Sequence, residues 1–496
     1  MNKFLNGLTD ATNYIYTENM GVAHRSTKSD LLDFFAMGGS MRNRSEDDII
    51  LMFRKAYAEN PLYALKCLFW FRDCRGGAGE RRLFRICIHD LAKTNPDVVK
   101  RNIENIPVFG RYDDLYALED TPVEKDMFFF IKKQLVLDTQ SKTPSLLAKW
   151  LPSCNTSSKE TCRLGKKTRI ALDLTAKEYR KILSTLRKRI NIVERLISAN
   201  QWDKIIYDKI PSKAGLIYKN AFARHDYDRY AEFAKSKEIK VNAATLNPVD
   251  IAKQIFHYGG WTLNAPTDIE RVMWQKYWNN LKDYYNGREE RGIAVVDVSG
   301  SMEGTPMNAA ISMGAYIAER GKGPFANHFI TFSSHPELVK FDGIDIYDKF
   351  QRARKADWGG STNIEATFDS LLRTAVENHC TQDEMPQAIY VFSDMEFDHC
   401  VTSNELNDKW GCCLSKDKIE TLFDIIKKKW NSYGYKMPRL IFWNLDCRHQ
   451  NIPIIGDGIS YVSGFSMAAL EGVLSGKDGY DLMMEILDKE KYSVIK

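Results

Sequence analysis

The 496-residue chain lacks any apolar run long enough to cross a membrane. Apolar runs such as Leu62–Phe71 and Ile293–Val298 fall well short of the roughly 20 residues a spanning helix needs, and Lys66 interrupts the first. Met1–Asp10 holds one lysine and no stretch resembling a signal peptide, so neither export nor a membrane partner is expected. The ten cysteines are scattered through a long chain rather than framing a small one, the pattern of reduced thiols and not of a disulfide scaffold. A cytoplasmic setting follows as the expectation. Glycine (30) and proline (15) are too sparse for a low-complexity chain.

What is present is ordinary globular material: 44% hydrophobic and 27% charged residues, at a length that predicts two to three domains. The net charge of +5 conceals an uneven distribution. Residues 1–290 carry 48 basic against 36 acidic side chains, and residues 291–496 carry 22 against 29. Only the front part suits a polyanion.

The two parts also differ in texture. Residues 1–290 read as helical. Asn60-Pro61 and Asn95-Pro96 are start signals, with Pro107 ending the second stretch. Thr175–Ala199 opens on a Thr175/Glu178 capping box and repeats apolar residues every three or four positions. No exact repeat recurs, so the expectation is an α-solenoid or irregular helical array. From residue 291 short apolar runs (Ile293–Val296, Phe329–Phe332, Ala388–Phe392, Leu440–Trp443) alternate with the helical stretches Met307–Glu319, Asn363–Val376 and Lys418–Trp430. That alternation predicts a doubly wound, mainly parallel sheet, which binds ligands at the carboxyl ends of its strands. The polar stretch Asn286–Arg291 is a suitable linker, so the expected domains are 1–290 and 291–496.

The strongest chemical signal is Asp297-Val298-Ser299-Gly300-Ser301-Met302, at the end of the first of these strands. The alternation aims three oxygen side chains at one point, the donor type that Mg²⁺ prefers. Trp358-Gly359-Gly360-Ser361-Thr362-Asn363 offers a hydroxyl before a helix, and Ser393-Asp394 ends a buried strand with a second carboxylate. In this order the three elements resemble a von Willebrand factor A domain over residues 291–496. The resemblance implies a metal-ion-dependent adhesion site in which Asp297, Ser299, Ser301, Thr362 and Asp394 hold Mg²⁺ or another divalent cation, directly or through water. One coordination position is then left for an acidic group of a protein partner. Ser361 could take the role of Thr362. Alternatively, the same oxygens could merely cap turns.

Other motifs carry less. Gly165-Lys166-Lys167-Thr168 has the ending of a phosphate-binding loop, but Glu160 stands where a glycine is needed and no strand precedes it. His399-Cys400 with Cys412-Cys413 matches no standard zinc spacing. Asp297 as a phosphoryl acceptor would call for a second acid where Ser299 stands. With no convincing nucleophile–base pair, catalysis is not expected.

Residues 151–200 hold 12 basic against 4 acidic side chains. Arg163, Lys166, Lys167 and Arg169 precede the Thr175 helix, which carries Arg180, Lys181, Arg187, Lys188 and Arg189. Such a face attracts phosphates without regard to sequence, though a solvated helix face is the blander reading. Arg72–Arg82, rich in glycine and arginine, reads as a structural loop locked by arginine–carboxylate pairs, or else as a binding loop.

Helical repeats followed by a von Willebrand A domain resemble the Ro autoantigen (TROVE) architecture, which implies a HEAT-like array that binds small or structured RNA. Phe71–Phe84, Ile106–Asp114, Trp358–Asn363, Phe442–Leu445 and Ser463–Ser466 are more closely similar to an uncharacterised family thought to be related to it. The function expected is therefore a non-catalytic, ribonucleoprotein-type RNA-binding protein. The alternative is a metal-dependent protein-interaction scaffold without nucleic acid.

Overall fold

The structure is a computed structural model that describes residues 8–9, 12–257, 265–332, 336–355, 363–398, 414–415 and 418–496. It divides into two compact units: Met1–Cys67 with Leu246–Lys489, and Leu68–Thr245 with Glu490–Lys496. The division of contacts thus differs from the change of texture near residue 290, since the front of the chain and residues 246–290 group with the sheet.

The first unit opens on a hairpin, β1 (Tyr14–Tyr16) and β2 (Val22–His24). Its centre is a six-stranded sheet of β3 (Gly292–Asp297), β4 (His328–Phe332), β5 (Glu337–Lys340), β6 (Ala388–Ser393), β7 (Arg439–Asn444) and β8 (Ile459–Ser463). The order is β8-β7-β6-β3-β4-β5, parallel throughout except for β5, which runs antiparallel to β4. All of β6 and all but the first residue of β3 are buried, as their unbroken apolar runs require. The four strands expected from the sequence are present. The two edge strands were not expected: Glu337-Leu338-Val339-Lys340 buries one residue of four, and Ile459–Ser463 interrupts its apolar residues with the hydroxyls of Ser460, Tyr461 and Ser463. Helix Thr305–Arg320 starts at Gly304, whose φ of 91° favours glycine, and has Pro306 in its first turn. It lies against β3 so closely that a Cβ on Gly314 would stand 2.4 Å from Val296 Cγ2.

The strand order fixes where a ligand can enter. From β3 the chain moves to β4 on one side, and β6 then returns to the other side of β3. The carboxyl ends of β3 and β6 therefore flank a topological switch point, where connecting helices leave a crevice.

The second unit is helical. It includes α1 (Pro61–Arg72, in which the division between units falls), α2 (Arg81–Thr94), α3 (Glu124–Gln140), α4 (Lys159–Ala171) and α5 (Ala176–Arg189). The Thr175/Glu178 capping box forms as the spacing predicts. The single helix expected over Thr175–Ala199 is instead broken: Asn191 takes φ 48°, and a short helix resumes at Val193–Ser198. Pro107 does not end a helix either. It sits inside the short helix Asn105–Phe109, near its start, where a missing N–H costs little.

Arginine–carboxylate pairs hold this unit at its centre. Asp114 accepts from Arg72 Nε at 2.7 Å, from Arg85 Nε at 2.7 Å and from the Arg111 backbone at 2.9 Å. The close packing requires Gly110, where a Cβ would meet Asp114 Oδ2 at 2.4 Å. Asp73 binds Lys491 Nζ and the Tyr492 hydroxyl, so the chain's last turn closes on the same loop. The structural reading of Arg72–Arg82 is thus the one the packing shows for Arg72. Arg72 and Asp114 are both fully buried, and removing one partner strands the other charge. Asp114→Ala is expected to cost about 3–5 kcal/mol, read as a lower denaturation midpoint with secondary structure retained.

Candidate functional site

The switch point gathers four of the five expected cation ligands. Asp297 is the last residue of β3, Ser299 and Ser301 lie in the turn that follows, and Asp394 stands directly after β6. Asp297 Oδ1 accepts from the Ser299 backbone N–H at 2.9 Å, and its Oδ2 accepts from Ser393 Oγ at 2.6 Å. The Ser299 and Ser301 hydroxyls are 3.0 Å apart. Asp394 Oδ1 accepts from the Glu396 backbone at 3.1 Å, and the Ser301 hydroxyl faces the same carboxyl. Thr362 and its alternative Ser361 lie outside the described residues, as do His399, Cys400, Cys412 and Cys413.

Burial and mutual repulsion dominate the electrostatics here. Asp297, Ser299 and Asp394 are each no more than 1% exposed. Desolvation raises the Asp297 carboxyl well above the usual carboxylate range, and the neighbouring Asp394 charge adds to this. Desolvation likewise raises Asp394, against the pull of Ser301 and the Glu396 amide. Asp394 Oδ2 is buried without a hydrogen-bond donor, a costly state for a carboxylate oxygen. Two raised carboxyls, two hydroxyls and an undonated oxygen fit a hard divalent cation, which would take oxygen ligands and offset both charges. Asp297, Ser299, Ser301 and Asp394 are the residues able to hold it.

Sequence reading did not connect the N-terminal hairpin with this end of the sheet. Thr17 Oγ1 donates to the Phe397 carbonyl at 2.8 Å, the Glu18 backbone to Glu396 Oε2 at 2.8 Å, and Asn19 Nδ2 to the Glu396 carbonyl at 2.6 Å. His24 and Ile452 exchange backbone hydrogen bonds, both at 2.8 Å. Arg448, in the loop after β7, reaches the same place, and no local motif announces either contact.

The nine basic residues singled out in the helical unit separate into two groups. Arg163 pairs with Glu119 and Glu160, and Lys167 with Glu119, Asp120 and Glu124. Arg169 donates to the Leu174 carbonyl and Arg189 to the Thr139 carbonyl. Arg187 is spent on the carbonyls of Ala148 and Leu151 and on Ser153 Oγ. Lys166, Arg180, Lys181 and Lys188 are exposed and have no carboxylate partner among the described residues, and Lys177 joins them. Lys177, Arg180, Lys181 and Lys188 share one face of α5 by their three- and four-residue spacing. Gly165–Thr168 is helical, within α4, so it forms no phosphate-cradling loop.

A cavity of about 1070 Å³ also lies within the helical unit. Arg75, Arg111, Lys133, Lys149 and Lys209 line it; Arg111 pairs with Asp113, Lys133 with Glu104 and Lys149 with Glu194, and Arg75 donates to the Val108 carbonyl. Arg111 stacks on Trp150 at 3.9 Å. These residues are far apart in sequence, and the charge count of residues 151–200 could not have singled them out.

Residues 17–118 and 154–290 match a domain of unknown function, DUF2828, and residues 291–493 match another, DUF7788. The two matched regions meet between residues 290 and 291. An uncharacterized protein, L728, of Acanthamoeba polyphaga mimivirus is 28% identical over 529 residues, covering 97% of this chain and 88% of its own. The crystal structure of the Deinococcus radiodurans Ro (RSR) protein aligns with 93% of this chain and 99% of its own, at a TM-score of 0.48 and 14% identity.

Two pH-dependent outcomes follow. Hydrogen bonds from Arg163, with Lys167 adding, hold the Glu119 carboxyl down to about 2 despite its partial burial. Its stabilising effect is present above the ordinary glutamate range and is lost as pH falls through that range toward 2. Glu119→Gln should therefore flatten the acid limb of a melting-temperature profile over that window. Asp297 has the opposite sign: its raised folded-state pKa costs stability as pH rises above the usual carboxylate range. With EDTA at pH 8, Asp297→Asn should be more stable than wild type by about 1–3 kcal/mol, and the difference should shrink toward pH 4.

Proposed function

We propose that the protein is a non-catalytic RNA-binding protein, with a basic helical unit of Ro (HEAT-like) type and a von Willebrand A-like sheet that holds Mg²⁺. The observation that carries the RNA reading is the face of α5. Lys177, Arg180, Lys181 and Lys188 stand there without carboxylate partners among the described residues, although acids on neighbouring segments neutralise Arg163 and Lys167. Unpaired cations at helical spacing attract a phosphate backbone and release its counterions. The cavity supports the same reading, since the Arg111–Trp150 stack joins an aromatic plane to basic neighbours, the means by which unpaired bases are held. The helical-then-sheet order is also that of the Ro architecture which the sequence motifs resemble.

At the sheet, Asp297, Ser299, Ser301 and Asp394 hold the cation, with a hydroxyl of Ser361 or Thr362 as a further ligand. The cation neutralises the buried acids and presents a coordination position to an acidic group of a protein partner. The undonated Asp394 Oδ2 favours this site strongly enough to keep a second reading, in which the chain is a cation-dependent protein scaffold and binds no nucleic acid.

The deciding measurement is fluorescence anisotropy with labelled single-stranded and hairpin RNA across a salt series. Wild type should bind with strong salt dependence. Changing Lys177, Arg180, Lys181 and Lys188 together to Glu should weaken binding at least tenfold and lower the salt slope by roughly 3 for single strands. Arg187 is left intact because it holds backbone carbonyls. An unchanged affinity sinks the assignment to α5. Absence of RNA binding, with Mg²⁺ stabilisation of wild type but not of Asp297→Asn, selects the scaffold; at 100 times Kd that stabilisation is about 2.7 kcal/mol.

A further inference from the structure

We propose that Arg448 is a built-in counter-charge that sets the affinity of the sheet site for divalent cations, held beside the site by the N-terminal hairpin. The inference rests on the reading of Asp297 and Asp394 as cation ligands.

Arg448 Nε lies 3.9 Å from Asp394 Oδ2 and 3.8 Å from Asp446 Oδ2. Neither distance is a hydrogen bond, so the guanidinium supplies charge to Asp394 without occupying the lone pairs of that buried oxygen. Its hydrogen bonds go elsewhere. Nη1 meets Glu18 Oε2 at 3.1 Å, and Nη2 donates to the Ser301 carbonyl. Arg44 donates in turn to the Arg448 carbonyl, fixing the backbone. Glu18 is itself anchored, since its backbone N–H donates to Glu396 and the adjacent Thr17 and Asn19 bind the 396–397 backbone. The hairpin thus stations a positive charge next to the oxygen that a metal needs most.

Two consequences follow from Coulomb's law. Without metal, Arg448 offsets part of the repulsion between the buried acids and makes their ionised state tolerable. With metal, the same charge repels the arriving dication. A unit charge and a dication about 5 Å apart repel enough, even at the dielectric of water, to change an affinity by roughly tenfold.

The experiment is isothermal titration of MgCl₂ into the full-length chain as wild type, Arg448→Ala and Arg448→Lys. Arg448→Met, which keeps the apolar stem, replaces the alanine variant if that one fails to fold. Tighter binding by about tenfold in the neutral variant, with Arg448→Lys near wild type, is the expected result. Unchanged or weaker binding in the neutral variant overturns the inference and makes Arg448 a prop for the Ser301 turn. Absence of Mg²⁺ binding in every variant overturns the cation site itself, and the inference with it.

Discussion

Asp297 and Asp394 bring two carboxyl groups into a space from which water is almost excluded, at the ends of neighbouring parallel strands. Burying one charge among apolar strands is expensive, and burying two of the same sign side by side is more so. Much of the surrounding structure meets that cost. Ser393 and the Ser299 amide occupy the oxygens of Asp297, the Glu396 amide occupies one oxygen of Asp394, and Arg448 stands near the other. The N-terminal hairpin holds Arg448 and the 396–398 segment in place. The proposed cation would offset both charges at once.

The helical unit handles charge differently. At its centre, arginines and aspartates are matched almost bond for bond around Asp114, and a glycine is kept at 110 so that they can approach. Arg163 and Lys167 belong to a similar neutralised network around Glu119. The exposed cations of α5 are exempt from this matching. Among the described residues these cations have no acid partner, which separates the face of α5 from the paired charge around Asp114 and Glu119.

Much of this was legible before any coordinates. Continuous apolar runs such as Ile293–Val296 and Ile389–Phe392 have only one comfortable environment, the interior of a parallel sheet, so four strands and their order in the chain could be read directly. Asp297, Ser299, Ser301 and Asp394 were legible because a strand end aims alternate residues at one point. The edge strands were not, since β5 buries a single residue and β8 shows hydroxyls along its length. Asn191 breaks a helix by adopting a left-handed conformation, which asparagine tolerates but does not advertise. Local charge does not separate the nine basic residues, because their partners, such as Glu119 for Arg163 and Ala148 for Arg187, lie 44 and 39 positions away.

The sequence by itself determined the helical front, the alternating strands and helices behind it, and four of the side chains that meet at the switch point, because each of these depends on spacing within a short stretch. Only the tertiary structure decided which charges are spent and which are free, and that residues near the start of the chain, including Glu18, bear on Asp394 through Arg448. Electrostatic energy depends on distance through space and on the exclusion of water, and neither is written in the order of the residues.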